Sequence, residues 1–328
     1  MSLPEVPIHD YRNSSMLDYV RDRADGAQNL METVLNGMGI PGMIARPLLP
    51  RIDRIADRRL IAMSDPYRDE ILAIREIVGR PGPVTFSLSY EFGCTARVFP
   101  DATLFRTLDW PFKGLGELIE IVHLPGLAGP WVTATWPGVV GCLQGAAPGR
   151  FAAALNQAPE RRAGFGKAAS WIASKRRFMK ATGIPPPHLL RLVFETAPDF
   201  DTAKRMLSDT PVAAPVIYTL SGPEPGQAVV IERIEDTAAI AEVPAAANHF
   251  ASTLSARGTW RARGYDSPGR REAAVNLEHS LPLDELTPPI LNPLTRLAVI
   301  VTPNGDLSVA GWDGTHPVTQ IGCVKGAS

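Results

Sequence analysis

The sequence predicts an α+β fold in which a mostly helical N-terminal segment precedes a strand-rich body. Three observations carry this. Apolar residues recur at helical spacing over residues 15–80, and the period turns strand-like after Arg80-Pro81-Gly82-Pro83. Strands and helices then come in blocks, which suits layered α+β packing better than alternating β-α units. With 328 residues, 45% hydrophobic and 20% charged, the chain can bury one large core or two modest ones and is too apolar for global disorder. It shows no internal repeat.

Taken in order, Met16-Leu17-Asp18-Tyr19-Val20 opens an amphipathic pattern. Residues 37–50 read as an apolar link broken by Gly and Pro, and 51–78 return to helical spacing with a break near Pro66. Strands are expected at 84–90, 95–99, 104–109, 119–124, 131–136, 139–144 and 151–155, bounded by turn residues. Pro100-Asp101-Ala102-Thr103 would join the second and third as a hairpin. Residues 170–182 suit either element. Helices follow at 187–195 and 201–208, the second with Asp199 as N-cap. Strands return at 214–221, 228–234 and 238–242, a helix at 270–278, and the chain closes on a hairpin, 297–302 and 307–311, around Asn304-Gly305.

Composition excludes several classes. A net charge of −1 leaves no basic footprint for nucleic acid, and the Arg-rich spots at 161–162, 175–177 and 270–271 are short. Three cysteines (Cys94, Cys142, Cys323) cannot frame a chain of this length with disulfides. Six scattered histidines and no Cys-x-x-Cys give no metal site, and no cofactor is expected. The first residues lack the basic and apolar regions of a signal peptide, and no run of about 20 apolar residues exists to span a membrane. A reducing, cytoplasmic location is the expectation; it would keep a thiol active.

The residues that carry chemistry are Tyr90-Glu91-Phe92-Gly93-Cys94-Thr95 and, on the next strand, Phe105-Arg106-Thr107-Leu108-Asp109-Trp110. A thiol attacks carbonyls as thiolate and needs a base. No histidine here sits in a recognisable Cys-His motif. The alternative base is the cysteine's own α-amine, with a pKa of about 8, which is free only if the Gly93–Cys94 bond is cut. Gly93, lacking a Cβ, leaves its carbonyl open to attack. Asp109 would orient the new ammonium group, and Arg106 would hold the thiolate or a substrate carbonyl. A two-residue hairpin loop sets Cys94 across from Asp109, whereas a three-residue loop brings Arg106 onto the Cys94 face. One plain register cannot do both, so a bulge or bend is expected near Asp109.

These motifs resemble the N-terminal-nucleophile amidases related to acid ceramidase, N-acylethanolamine-hydrolysing acid amidase, choloylglycine hydrolase and penicillin V acylase. The same likeness extends to Thr135-Trp136-Pro137-Gly138-Val139-Val140-Gly141 and on to Leu155-Asn156. It continues through Val229-Val230-Ile231-Glu232-Arg233, Asn248-His249-Phe250 and Asp266-Ser267-Pro268-Gly269-Arg270-Arg271. It covers roughly residues 35–315, and the order of the motifs is more specific than any one of them. Two departures stand out: Thr107 occupies the family's usual Asn position, and Cys94 and Arg106 lie only 12 positions apart.

The resemblance implies a four-layer αββα sandwich and a hydrolase that cuts itself at Gly93–Cys94. Residues 1–93 would form a mostly helical N-terminal chain and 94–328 the catalytic chain, the two staying associated as one compact unit. It implies Cys94, Arg106, Asp109, Asn248 and an arginine of the 270–271 pair as catalytic, with Arg271 preferred by position and Arg270 assigned to substrate binding. Asn248 would supply the oxyanion donor, with Asn156 as helper. Trp110 and Trp136 would line the core or the substrate pocket. The implied partner is a small N-acyl amide, lipids included, with no cofactor; a homo-oligomer is left open. An acyltransferase with the same fold, or an unprocessed binding protein, are the rival readings. Cys142 and Cys323 read as ordinary small residues, and His123, His249 and His279 as structural or exposed.

Overall fold

The computed structural model describes residues 2–37, 42–88, 92–163 and 166–326. Two stacked sheets form its centre. The first has, in spatial order, β1 (Ile8–Asp10), β4 (Glu120–Leu124), β5 (Trp131–Thr135), β6 (Gln144–Ala147), β7 (Phe151–Gln157), β9 (Val216–Ser221), β10 (Ala228–Ile234) and β11 (Thr237–Ile240). The second runs β12 (Ala245–Ala246), β2 (Gly93–Val98), β3 (Leu104–Asp109), β14 (Thr295–Val301), β15 (Leu307–Asp313) and β16 (His316–Pro317), with β17 (Gly322–Val324) also on β15. A short ladder, β8 (Glu160–Arg161) with β13 (Trp260–Arg261), stands apart.

Helices cover both outer faces. On the first sheet lie α7 (Pro186–Thr196) and α8 (Phe200–Asp209), whose Leu189, Leu190, Val193, Phe194, Ala203 and Leu207 join the main core. On the second lies α9 (Ser267–Val275), which packs on β2 and β12. The expected α+β sandwich of four layers is therefore present. The N-terminal segment supplies α1 (Met16–Asp22), α2 (Ala24–Gly37), α3 (Gly42–Ala62), α4 (Arg68–Val78) and α5 (Pro83–Ser87), and α6 (Lys167–Phe178) occupies the stretch that suited either element. Asp199 caps α8 as expected, accepting from the Thr202 N–H at 2.7 Å.

Three expectations are corrected. Residues 84–87 form the end of α5, not a strand. Pro83 presets the first turn, and Asp53 accepts from the backbone of Gly82 at 2.7 Å and of Thr85 at 2.9 Å, satisfying helix-start donors that no local residue caps. Residues 89–91, including the Tyr90 and Glu91 of the motif, lie outside the described residues. The strand expected at 139–144 begins only at Gln144, because Gly138 turns at φ +82° and Gly141 lies against Pro187 where a Cβ would clash at 2.5 Å. The link expected at 37–50 is from Gly42 onward the start of α3, which runs through the exposed Pro47 and Pro50; residues 38–41 lie outside the described set.

The N-terminal segment is also not purely helical. β1 pairs parallel with β4, and the Gln320 N–H donates to Pro4 O at 2.8 Å. Polar bridges tie it further to the body, two of them buried, Asp65 to His188 at 2.6 Å and Tyr19 to Glu120 at 2.7 Å, and two part-buried, Tyr67 to Glu195 at 2.6 Å and Glu70 to Arg191 at 3.0 Å.

Candidate active site

The β2–β3 hairpin sets the geometry. Ala102 at φ +65° closes a loop in which the Phe99 N–H donates to Thr103 O and the Ala102 N–H to Phe99 O, a three-residue connection. That fixes Gly93 opposite Asp109, Cys94 opposite Leu108 and Ala96 opposite Arg106. Cys94 and Arg106 therefore share the inward face, while Gly93, Thr95 and Asp109 share the face under α9. The expected irregularity near Asp109 is found one strand over: β14 shifts register between Thr295 and Leu297, leaving Arg296 as the extra residue beside Asp109.

On the inward face, Cys94 is fully buried and its Sγ accepts from Arg106 Nη2 at 3.1 Å. The same nitrogen donates to Leu155 O at 2.8 Å, and Nη1 donates to the Oε1 of Gln144. Among the described residues the acceptors of Arg106 are an amide, a carbonyl and a thiol sulfur, none of them a carboxylate. On the other face, Asp109 Oδ2 pairs with Arg270 Nη1 at 3.2 Å, both side chains fully buried, and Oδ1 accepts from Thr295 Oγ1 at 3.0 Å. Arg270 also donates to Cys94 O at 2.6 Å, Thr95 Oγ1 at 3.0 Å and Asn248 Oδ1 at 2.8 Å. The Cys94 N–H donates to that same Asn248 oxygen at 2.7 Å.

Burial pushes the Cys94 thiol above its ordinary value; Arg106 pulls it back, the Asp109 charge pushes it up and Arg270 opposes that. Burial likewise pushes the Asp109 carboxyl up, against the pull of Arg270. The intact chain thus holds a protonated sulfur next to a fixed cation. Gly93 has a steric reason as well: a Cβ there would sit 3.1 Å from Asp109 Oδ2 and 3.4 Å from the Gly264 Cα.

The preference for Arg271 is corrected. Asp266 caps α9, accepting from the Gly269 N–H at 3.2 Å, and so sets the helix phase that turns Arg270 inward. Arg271, about 100° further round the helix, donates instead to Ala245 O at 3.1 Å and is half-buried. Asn248 is at the site, but its Nδ2 donates to Gln157 O at 2.8 Å, so a donor role toward an oxyanion requires that bond to be shared or exchanged. Asn156 is buried without a bond to Cys94: its Nδ2 donates to Ala247 O at 3.3 Å, while its Oδ1 has no partner. Trp110 and Trp136 meet edge to face at 6.0 Å and, with Phe86 and Phe92, line a small aromatic pocket of about 30 Å³.

Four residues at the site were not singled out from the sequence for it. Gln144 holds Arg106, and Gln157 accepts from the Phe92 N–H at 3.1 Å. Ser267 Oγ accepts from the Asn248 N–H at 2.8 Å and meets His249 Nδ1 at 2.8 Å, fixing that loop. Gly264 turns at φ +71° against Arg270 and Gly93. A glutamine inside an apolar strand is the one signal that could have marked Gln144. Among the described residues no group of His, Cys, Asp or Glu is placed to hold a metal, and no helix is long and apolar enough to cross a membrane.

No protein-family model matches the chain. In sequence it is similar to acid ceramidase of Homo sapiens, 31% identical over 100 residues, which are 30% of this chain and 24% of that protein. It is similar too to the N-acylethanolamine-hydrolyzing acid amidase of Cavia porcellus, 26% identical over 181 residues, 52% of this chain and 49% of that protein. The matches thus span a quarter to a half of those relatives' length. The solved structure of a Caenorhabditis elegans N-acylethanolamine-hydrolyzing acid amidase ortholog superposes with a TM-score of 0.46 at 20% identity, over 65% of this chain and 93% of its own. The sequence matches bear out the resemblance to the acid amidases read from the motifs.

Proposed function

We propose that this chain is a self-processing amide hydrolase whose nucleophile is Cys94. The observation that carries the reading is the Cys94 environment: its sulfur 3.1 Å from Arg106, its N–H held by Asn248 at 2.7 Å, and a glycine before it. In processing, the sulfur attacks the Gly93 carbonyl carbon, the C–N bond breaks, and the thiol proton passes to the Cys94 nitrogen. Water then opens the thioester, leaving a Gly93 carboxylate and a free Cys94 amine.

With substrate, that amine takes the thiol proton as sulfur attacks the amide carbon, and then gives it to the leaving nitrogen. Water releases the acid. Asn248, with Asn156 nearby, would stabilise the oxyanion, a contribution of about 3 kcal/mol per donor. Asp109 would hold the new ammonium group from the opposite face, while Arg270 holds the Cys94 carbonyl. The relatives' names support an N-acyl amide as substrate. The bridges from Asp65, Glu70, Tyr67 and Tyr19 to the body, with β1 in the first sheet, would hold residues 1–93 to 94–328 after the cut. A reducing cytoplasm suits its three free cysteines.

Intact-mass analysis of purified protein tests this. Two associated chains that meet at Gly93–Cys94 and hydrolyse N-acyl amides are expected, with Cys94→Ala uncut and inactive. A fully active single chain would refute it.

A further inference from the structure

A second cavity, a cleft of about 330 Å³, opens between α6 and the ends of β7 and β8. It is connected to the site by bonds, not by proximity alone. Gln157, on its wall, accepts from the Phe92 N–H through its side chain and from Asn248 Nδ2 through its carbonyl. Arg263, also on the wall, donates its N–H to Asn248 O at 3.1 Å. One wall of the cleft is therefore bonded to the loop that holds the Cys94 nitrogen.

The lining is amphipathic and unevenly charged. Leu88, Trp171 and Phe178 are apolar, and the titratable groups are Arg161, Lys175, Arg177, Lys180 and Arg263 against Glu160 and Glu235. Both carboxylates are already engaged, Glu160 by Arg261 at 3.3 Å and Arg263 at 3.9 Å, Glu235 by Arg161 at 4.0 Å. Among the described residues Arg177 and Lys180 meet no carboxylate. A cleft that borders the loop holding the Cys94 nitrogen and ends among unmatched cations suits a ligand with an anionic end.

We infer that this cleft takes the amine half of the substrate and that this half carries a carboxylate: the enzyme prefers N-acyl amino acids to neutral N-acyl amines. The inference rests on the hydrolase reading above. For an N-acylglycine plus water the reaction balances as follows. The amide C–N bond breaks and water's oxygen enters the new carboxylate of the acyl half. Both of water's protons go to the nitrogen, which leaves as the ammonium group of zwitterionic glycine.

The test compares N-decanoylglycine with N-decanoylethanolamine, which share an acyl chain and differ in charge. Exposed ion pairs contribute little singly, so two cations support a preference of about tenfold in kcat/KM that shrinks with salt. Arg177→Glu combined with Lys180→Glu is expected to remove or invert it. Equal kcat/KM for the two amides, or a preference that survives the charge reversal, overturns the inference. Binding is read separately in uncleavable Cys94→Ala through Trp171 fluorescence, with Trp171→Phe as control. Salt-sensitive binding of the glycine conjugate there supports the cleft even if no amide is hydrolysed, which would count against the hydrolase reading alone; no binding overturns the cleft.

Discussion

The two faces of the β2–β3 hairpin handle charge in opposite ways. On the inward face, among the described residues, Arg106 meets a neutral amide, a carbonyl and the Cys94 sulfur but no carboxylate, so its positive charge is left for the sulfur. On the outward face Arg270 is matched by Asp109, an ion pair buried between sheet and helix. The same cation type serves two ends: one faces the Cys94 sulfur, the other locks the backbone of the residue that carries it. A buried cation without a counterion is costly, and keeping Arg106 so points to use rather than packing.

Breaking the matched face should have the largest effect. Arg270→Leu strands Asp109 without a counterion, and a loss of about 3–5 kcal/mol of stability is expected by denaturant unfolding; a loss under about 1 kcal/mol would mean the pair is not held as described. Making the unmatched face resemble the matched one should come next. Gln144→Glu keeps an acceptor for Arg106 but neutralises it. The pull that lowers the Cys94 thiol is then lost, its ionisation moves up, and the thiolate fraction at a given pH falls. Processing should slow by about tenfold, and its pH profile should move to higher pH. An unshifted profile would assign Gln144 a packing role only. The smallest change, Thr295→Val, removes one hydrogen bond to Asp109 and should cost about 1 kcal/mol, read as a lower Tm.

Much of this contrast was legible in the sequence. The spacing of Cys94, Arg106 and Asp109 allowed two registers, and the loop at Pro100–Thr103 decided between them through Ala102, a non-glycine residue at positive φ that no propensity demands. The α+β layering followed from strands and helices arriving in blocks, and the number of layers from the resemblance to the amidases. What stayed hidden depended on partners far along the chain. Asp53 turns residues 83–87 into a helix through a bond to Gly82, 29 positions away, and β1 is a strand only because β4 lies beside it. Arg270 rather than Arg271 faces inward because Asp266 starts α9 where it does. A one-residue change in helix start would have turned the other arginine in.

The central claim is that the Cys94 sulfur itself opens the Gly93 peptide bond. Trapping with hydroxylamine during processing tests it most directly, because a thioester is intercepted and an amide is not. The account predicts faster cleavage and a hydroxamate on Gly93 at the end of the N-terminal fragment, with Cys94 as the first residue of the other. A plain carboxylate at Gly93 with no acceleration, or a fragment starting elsewhere, would contradict it.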